Sequence, residues 1–415
     1  MTRSANRLAT LSWAHFLNDG AANYLPGVLP AVLLALHAPV ALAGSIMGTL
    51  LLGQALQPLY GWLSDHLGGR RLIFIGITGT TLGGAAVGIA PGYGGLLVVL
   101  LVIGLTNSMF HPQALAAVRG LSSGRDGFYM SVFLVGGELG RGIWPVLASL
   151  VVAHLGLASL WILALPALLT LPWLHHRVPR LAARHPDSPP IAWRRHRRAL
   201  TNVVVYCALR ATMMFSLVTF VPLIWHQQGG SLITGASLIS TLLVTGIIGN
   251  VGGGHLADRF GRRPILFAAS MLSAALLALF LVVSGPWLWL VLGLLGIALF
   301  ATVPLSILMG QDILPENRSL GAGLALGLAN GIGALAVMAL GALTVYWSPA
   351  TVLWLNVGLG LIAMLQVPFL PEKPQPGDTT AKRRPADGRL TANLGEEGNN
   401  LGSAKTTTGK GAGDK

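Results

Sequence analysis

The chain contains very little charge: Asp, Glu, Lys and Arg together make up 10% of its 415 residues. Soluble domains carry about 25%, and apolar residues here reach 53%, so the composition indicates a membrane protein. Cysteine is almost absent as well. The single Cys207 lies in an apolar run, which excludes an intrachain disulfide and a cysteine-based metal site.

Motifs for soluble chemistry are also missing from the sequence. There is no P-loop for ATP, no G-x-S-x-G nucleophile and no H-E-x-x-H metal spacing. The net charge of +13 comes from loops and the C-terminal tail, not from a basic helix face, which argues against a nucleic-acid partner. We therefore expect a protein that is not an enzyme and that needs no cofactor, no metal ion and no nucleic acid.

The chain has instead twelve long apolar segments. A bilayer core of about 30 Å needs roughly 20 helical residues, and each segment comes close to that length. The first segment has a basic start like a signal peptide, but it carries Asp19 and lacks a small-residue cleavage site, so we expect it to be retained. The segments, called spans 1 to 12 below, lie approximately at 9–36, 43–64, 72–91, 95–118, 127–153, 157–175, 200–225, 232–254, 264–284, 287–309, 319–346 and 350–370.

Lysine and arginine fall on one side of these spans. Of the 27 basic residues, all except Arg141 and Arg210 lie at the termini or in the loops that follow even-numbered spans. Cytoplasmic loops are enriched in Lys and Arg. Both termini are therefore predicted to be cytoplasmic, in a multi-pass protein of the bacterial inner membrane.

Two loops on the cytoplasmic side share a sequence motif. GWLSDHLGGRR begins at Gly61, and GHLADRFGRRP begins 193 residues later at Gly254, each between two apolar spans. The recurrence indicates a duplicated chain with two six-span halves. Acidic and basic side chains in such a loop can pair and separate, so the motif predicts a role in gating. The predicted gating residues are Gly61, Asp65, Arg70, Arg71, Gly254, Asp258, Arg259, Gly261, Arg262 and Arg263, together with Gln311 and Asp312 in the turn between spans 10 and 11.

The doubled G-x-L-x-D-x-x-G-[RK]-[RK] loop resembles the signature of the major facilitator superfamily, with a departure at Gly69, where that family usually has a basic residue. The resemblance implies an all-α membrane protein of twelve transmembrane helices in two pseudo-symmetric six-helix halves that work by alternating access. The expected domains are an N-terminal half at 1–175, a basic cytoplasmic linker at 176–199, a C-terminal half at 200–370 and a disordered cytoplasmic tail at 371–415.

Further stretches resemble the fosmidomycin-resistance branch of that superfamily. They are SWAHFLNDGAANYLPGVLPAV from Ser12, NSMFHPQA from Asn107, VFLVGGELG from Val132 and MGQDILPENRSLGAGLALGLANGIG from Met309. The branch implies proton-driven export of drugs and other small molecules. The sequence departs from the branch where Glu138 replaces the usual Asn and Arg141 follows it, and Trp144 stands where drug antiporters favour a glycine before proline.

Two acidic and two basic side chains are predicted to lie inside the membrane. Asp19 follows His15 by four residues on one helix face. A charge at this depth costs about 2.5–3.5 kcal/mol and normally faces a partner or a cavity. Asp19 is therefore the first candidate for proton coupling, with His15 as a relay and Glu138 as a further candidate. A permanent structural ion pair would also explain Asp19.

Arg141 lies three residues after Glu138, within reach of its carboxylate. The two form either a self-neutralising pair or a pair that the substrate breaks. Arg210 lies in span 7, the repeat partner of span 1, and its planar guanidinium suits a carboxylate, phosphate or phosphonate. It is predicted to bind an anionic substrate group or to hold Asp19 when no substrate is present. Other predicted substrate-binding residues, chosen as hydrogen-bonding side chains of a cavity, are Asn18, Asn23, Tyr24, Asn107, His111, Gln113 and Asn330.

The sequence thus predicts a monomeric secondary transporter in the lipid bilayer. Its partners would be protons and a small-molecule substrate, and proton-coupled antiport would export a small organic solute or drug, with anionic, fosmidomycin-like compounds among the candidates. An uptake symporter for an organic anion is an alternative, because the same carboxylates serve either direction. A membrane sensor or a lipid-acting enzyme would explain the hydrophobicity, but not the doubled loop or the four buried charges.

Overall fold

The computed structural model describes residues 3–67, 69–121, 126–178, 193–314 and 318–372, and in this part of the chain every regular element is a helix. Most of the predicted linker and nearly all of the predicted tail lie outside the described residues. All twelve predicted spans are helical, so the predicted all-α fold with two six-span halves is confirmed.

The N-terminal half contains spans 1 to 6. Spans 1 and 2 are each built from two helices in sequence, and short 3-10 segments at Val87–Ile89 and Leu157–Ala164 complete spans 3 and 6. The α-helices of this half are α1 Arg3–Asn23, α2 Leu25–Ala35, α3 Leu42–Gln54, α4 Gln57–Leu67, α5 Gly69–Ala86, α6 Gly92–Leu121, α7 Asp126–Leu155 and α8 Leu165–Arg177.

The C-terminal half contains spans 7 to 12. A π-helical segment at Leu324–Leu328 interrupts span 11, and a 3-10 turn at Val367–Phe369 ends span 12. The α-helices of this half are α9 Trp193–Gln227, α10 Leu232–Phe260, α11 Arg262–Phe280, α12 Trp287–Ala301, α13 Val303–Ile313, α14 Arg318–Gly323, α15 Ala329–Leu343 and α16 Pro349–Gln366.

Spans 1, 2 and 10 are broken in the middle, and a proline stands at each break. Pro26, Pro58 and Pro304 occupy the second position of α2, α4 and α13. Proline lacks a backbone N–H and disfavours a helical conformation in the residue before it, so a new helix begins there. By length and composition, 10 helices of the described chain can cross a membrane. Spans 1 and 2 fall outside that number, because α2, α3 and α4 are short and α1 carries charge.

Spans 1 and 5 approach each other closely. A Cβ atom added to Gly140 on α7 would lie 2.2 Å from the carbonyl oxygen of Phe16 on α1, so only glycine lets the two backbones come this near. The long α1–α7 interface that results brings Asp19 to the helix that carries Glu138 and Arg141.

The two halves meet mainly along two pairs of spans, with smaller contacts between α2 and the helices α9 and α10. Spans 5 and 8 pack through α7 and α10, and spans 2 and 11 pack through α3 and α15. These are the contacts that have to rearrange if one half rocks against the other in alternating access.

Gly140→Ala is expected to destabilise the protein, because the added methyl group would meet the Phe16 carbonyl oxygen at 2.2 Å and overpacking costs about 1–3 kcal/mol. The matched control is Gly252→Ala on α10, where nothing lies within 4 Å of the added atom and alanine should be neutral or slightly stabilising. Thermal unfolding in mild detergent measures both variants. Equal unfolding temperatures would contradict the close packing of α1 on α7.

Candidate functional site

Asp19 is the centre of a polar cluster inside the N-terminal half. Its side chain is 1% exposed, and it is contacted from α1, α6 and α7. The nitrogen atoms around its two carboxylate oxygens are His15 Nε2 at 3.3 Å, His111 Nε2 at 3.1 Å, Arg141 Nε at 3.0 Å, Asn18 Nδ2 at 3.2 Å and Asn107 Nδ2 at 3.4 Å.

Helical spacing explains how three helices supply this cluster. His15 and Asp19 are four residues apart on α1, and Asn107 and His111 are four apart on α6, so each pair lies on one face of its helix. On α7, Gly137 leaves the space that the His15 imidazole occupies, because a Cβ atom there would lie 2.3 Å from the ring.

In each histidine, the ring nitrogen that faces away from Asp19 shows which tautomer is present. His15 Nδ1 lies 2.8 Å from the carbonyl oxygen of Phe133, and His111 Nδ1 lies 3.0 Å from the carbonyl oxygen of Asn107. A carbonyl oxygen only accepts, so each Nδ1 donates its hydrogen. In a neutral imidazole, the Nε2 that faces Asp19 would then be an acceptor.

A bare acceptor facing a carboxylate is unfavourable, so each Nε2–oxygen contact calls for one more proton. That proton lies on the imidazole or on Asp19 itself. The His111 contact is the closer of the two; His15 Nε2 lies at ion-pair distance but has no aligned hydrogen-bond partner among the described residues.

The same atoms also have the spacing of a metal site. The donor atoms of His15, Asp19 and His111 lie within 4.8 Å of one another. A metal ion there would, however, face the guanidinium of Arg141, whose Nε is 3.0 Å from a carboxylate oxygen of Asp19. The positive charge of Arg141 at this distance therefore disfavours a divalent cation. Motif spacing along the sequence did not reveal this cluster, because its members come from separate spans.

Arg141 joins the two buried acids of the N-terminal half. Besides its contact with Asp19, its Nη2 lies 3.7 Å from Glu138 Oε1. Arg141 is 32% exposed and Glu138 is buried, with Oε2 lacking a hydrogen-bond partner in the described part of the chain. The predicted proximity of Glu138 and Arg141 is present, but the closer partner of Arg141 is Asp19.

Arg210 lies apart from this cluster. Its side chain is 9% exposed and lines a small cavity among α9, α11 and α16, beside hydroxyl groups of Tyr206, Ser270, Ser273 and Thr302. Arg141 holds Asp19 in this conformation, so the predicted Arg210–Asp19 pair is absent from it. The role of Arg210 in substrate binding stays a prediction.

The other predicted polar residues separate into two groups. Asn18 and Asn107 donate to the Asp19 carboxylate, and Asn23 donates to the Asp19 backbone carbonyl at 2.9 Å, so these lie at the cluster. Tyr24 donates to the Gly84 carbonyl at 2.6 Å. Gln113 Nε2 donates to the Tyr60 carbonyl at 2.8 Å, and Asn330 is half-buried in span 11. The structure does not bring these three to Asp19.

The loop motif of the C-terminal half forms two ion pairs at the helix ends. Arg262 Nη1 lies 2.7 Å from Asp312 Oδ2, which joins spans 9 and 10, and Arg263 Nη1 lies 2.8 Å from Glu372 Oε1. Gly261 has φ of 90° and ends α10 in a conformation that favours glycine. Glu372 was missed by the sequence reasoning, which treated the tail beyond span 12 as featureless.

The remaining motif residues have weaker contacts in the structure, or their side chains lie outside the described residues. Arg70 donates to the His175 carbonyl oxygen and lies over the Phe74 ring at 5.8 Å. Arg259 lies over the Phe260 ring at 5.3 Å. The side chain of Asp65 lies outside the described residues. The gating roles of Gly61, Asp65, Arg71, Gly254, Asp258 and Gln311, like those of the rest of the motif, stay predictions.

Known proteins share the sequence pattern and the fold. The family model of the Major Facilitator Superfamily matches residues 11–332 and 233–405. The chain is 28% identical over 356 residues to the uncharacterized MFS-type transporter YfnC of Bacillus subtilis (strain 168), covering 81% of this chain and 86% of the relative. It is 25% identical over 376 residues to the fosmidomycin resistance protein of Escherichia coli (strain K12), covering 88% of this chain and 92% of the relative.

Among solved structures, that of the nucleoside transporter NupG superposes on this chain with a TM-score of 0.73 and 15% sequence identity. The match covers 88% of this chain and 99% of NupG. At this identity the likeness is one of fold.

A double-mutant cycle tests which arginine holds Asp19. Arg141→Met and Asp19→Asn should be coupled by about 0.5–3 kcal/mol, because the two side chains are in direct contact. The matched control is Arg210→Met with Asp19→Asn, whose effects should add within about 0.3–0.5 kcal/mol. The free energy of unfolding in detergent is the measurement. Coupling to Arg210 instead of Arg141 would contradict the site described here.

Proposed function

The chain belongs to the Major Facilitator Superfamily, and from this we propose that it is a proton-coupled antiporter that exports a small organic solute by alternating access. It is a multi-pass membrane transporter, and its relatives are transporters, not enzymes. Export of a drug-like solute is supported by the similarity to the fosmidomycin resistance protein over most of both chains. We place it in the bacterial inner membrane as a monomer with both termini in the cytoplasm.

The observation that carries the proton coupling is the Asp19 cluster. A carboxylate that is 1% exposed inside a membrane span requires partners, and here they are two imidazoles and one guanidinium. When Asp19 takes up a proton, its attraction for Arg141 falls. The contacts among α1, α6 and α7 therefore depend on protonation, and these helices belong to the half that rocks against the other.

Antiport requires that the proton and the solute exclude each other. Asp19 provides a direct means of exclusion, because a positively charged solute is attracted to the ionised carboxylate, and this charge attraction is lost when the proton is bound. Proton entry from the outside would then release the solute, and proton loss to the cytoplasm would restore the carboxylate for the next solute molecule.

One observation favours the second candidate, uptake symport of an organic anion. Arg141 is shared between Asp19 and Glu138 and is 32% exposed. Protonation of Asp19 would release the guanidinium toward an anionic solute, so the proton and the anion would bind together. A planar guanidinium recognises carboxylate or phosphonate groups through paired hydrogen bonds.

Asp19→Asn should fold and reach the membrane, yet lose proton-driven transport, because asparagine keeps the shape and cannot carry the proton. The measurement is the internal pH of proteoliposomes while fosmidomycin and a panel of organic cations and anions are added outside. Antiport raises the internal pH as solute enters, and symport lowers it. Glu372→Gln, a substitution of the same kind at an exposed carboxylate outside the predicted gating residues, is the control and should retain the response. A normal response in Asp19→Asn would overturn the assignment of the proton to this residue.

Arg141→Lys separates the two candidate functions. Lysine keeps the positive charge but loses the planar fork. Affinity for an anionic solute bound at Arg141 should fall about 10- to 100-fold, the loss of one or two charge-assisted hydrogen bonds. A solute that binds Asp19 as a donor should keep its affinity within about threefold. Solute binding to purified protein at fixed pH gives the answer.

A further inference from the structure

Arg210 is a buried cation that has no acid at ion-pair distance among the described residues. It lies in the middle of α9 with 9% exposure, and among the described residues its side chain forms no ion pair and no hydrogen bond. Its Nε has no partner at all in that part of the chain. An arginine inside a membrane span normally pairs with an acid or with backbone carbonyls, so a negative partner for Arg210 is missing.

The two acids of the membrane interior do not fill this need. Asp19 is held by Arg141 and the two histidines. Glu138 is near enough to interact electrostatically with Arg210, but it is paired at ion-pair distance with Arg141. In this conformation the charge of Arg210 is therefore not neutralised by a side chain of the described residues.

The cavity beside Arg210 has the chemistry of an anion site. Ser273 lines it, and the Ser273 hydroxyl is buried without a hydrogen-bond partner in the described part of the chain. Tyr206 and Ser270, which share a hydrogen bond of 2.8 Å, line it as well. No acidic side chain is among its described lining residues. A guanidinium N–H and a free hydroxyl are both donors, which is what an anion requires.

The size of the cavity limits the ligand. Its volume is about 10 Å³, room for about one water molecule. Leu299, Gly360 and Ala363 close the rest of the wall with apolar surface. An organic solute does not fit, whereas a single compact ion does. One guanidinium charge is matched by one negative charge.

We propose that Arg210 and Ser273 form a site for a small monovalent inorganic anion of the size of chloride, inside the C-terminal half and separate from the Asp19 cluster. The ion would neutralise Arg210 and occupy the space between α9 and α11. The site is independent of the transport proposal, because its occupancy can be measured on protein that is not transporting.

The test is the thermal unfolding temperature of the purified full-length chain in detergent, with sodium chloride replaced stepwise by sodium gluconate at constant ionic strength. Chloride should raise the unfolding temperature with saturation, because a ligand that binds only the folded state stabilises it. Equilibrium binding of radioactive chloride gives the stoichiometry, which should be one per chain. Arg210→Gln should weaken chloride binding about 10- to 100-fold.

Two serine variants make the test specific. Ser273→Ala on α11 removes a cavity donor and should weaken chloride binding. Ser216→Ala on α9 also removes a buried hydroxyl that has no hydrogen-bond partner among the described residues, but Ser216 does not line the cavity, so binding should be unchanged. If Arg210→Gln fails to fold, the comparison of these two serine variants still tests the proposal.

The proposal is overturned if wild-type protein binds no chloride, or if Ser273→Ala and Ser216→Ala bind it equally well. It is also overturned if methylphosphonate stabilises the protein and chloride does not, since the cavity would then receive the head group of an organic anion.

Discussion

The buried carboxylate of Asp19 is the constraint on which the N-terminal half depends. A negative charge with 1% exposure is tolerated inside a membrane only if donors surround it, and no single helix can supply enough of them. α1 provides His15, α6 provides His111 and α7 provides Arg141. The three helices therefore have to meet at one depth, and Gly137 and Gly140 are the places where α7 admits the His15 ring and the α1 backbone. The close packing of α7 on α1 and the need to surround the Asp19 charge therefore require the same arrangement of these helices.

Much of this arrangement follows from the sequence, but only along each helix. The spans, the common face of His15 and Asp19, and the nearness of Glu138 to Arg141 depend on local spacing, and the structure contains all three. The sequence did not show which arginine contacts Asp19. Repeat symmetry suggested Arg210 as one partner, whereas Arg141 is in contact, because distances between helices depend on how each helix is rotated about its axis, which spacing within one span does not specify.

The two halves of the duplicated chain carry their buried charges in different ways. In the N-terminal half, Arg141 lies between two acids, and the histidines complete the ring around Asp19. In the C-terminal half, Arg210 lies beside a cavity lined by hydroxyl groups and by no acidic side chain of the described residues. On our two proposals, the charge balance of the N-terminal half changes with protons, whereas the C-terminal half binds an anion. The proline breaks in spans 1, 2 and 10 and the π segment in span 11 place local helix irregularities in both halves.

If proton coupling takes place at the Asp19–Arg141 pair, as we propose, its direction depends on which of the two side chains the solute binds. If an anionic solute binds Arg141, linkage requires that it raise the affinity of Asp19 for a proton, because each removes the other's competitor. Local electrostatics then favour co-binding, which leads to symport. A solute that donates to Asp19 has the opposite linkage and leads to antiport without further conditions. Antiport of an anion is compatible with this site under one condition. The protein that carries both the proton and the anion must be unable to switch between its inward-facing and outward-facing states. The proton and the anion would then exclude each other through the conformational step and not through competition at the site. At this cluster, the chemistry of the solute would therefore decide whether the proton moves with it or against it. Binding of the solute to Arg141 is what distinguishes the two cases.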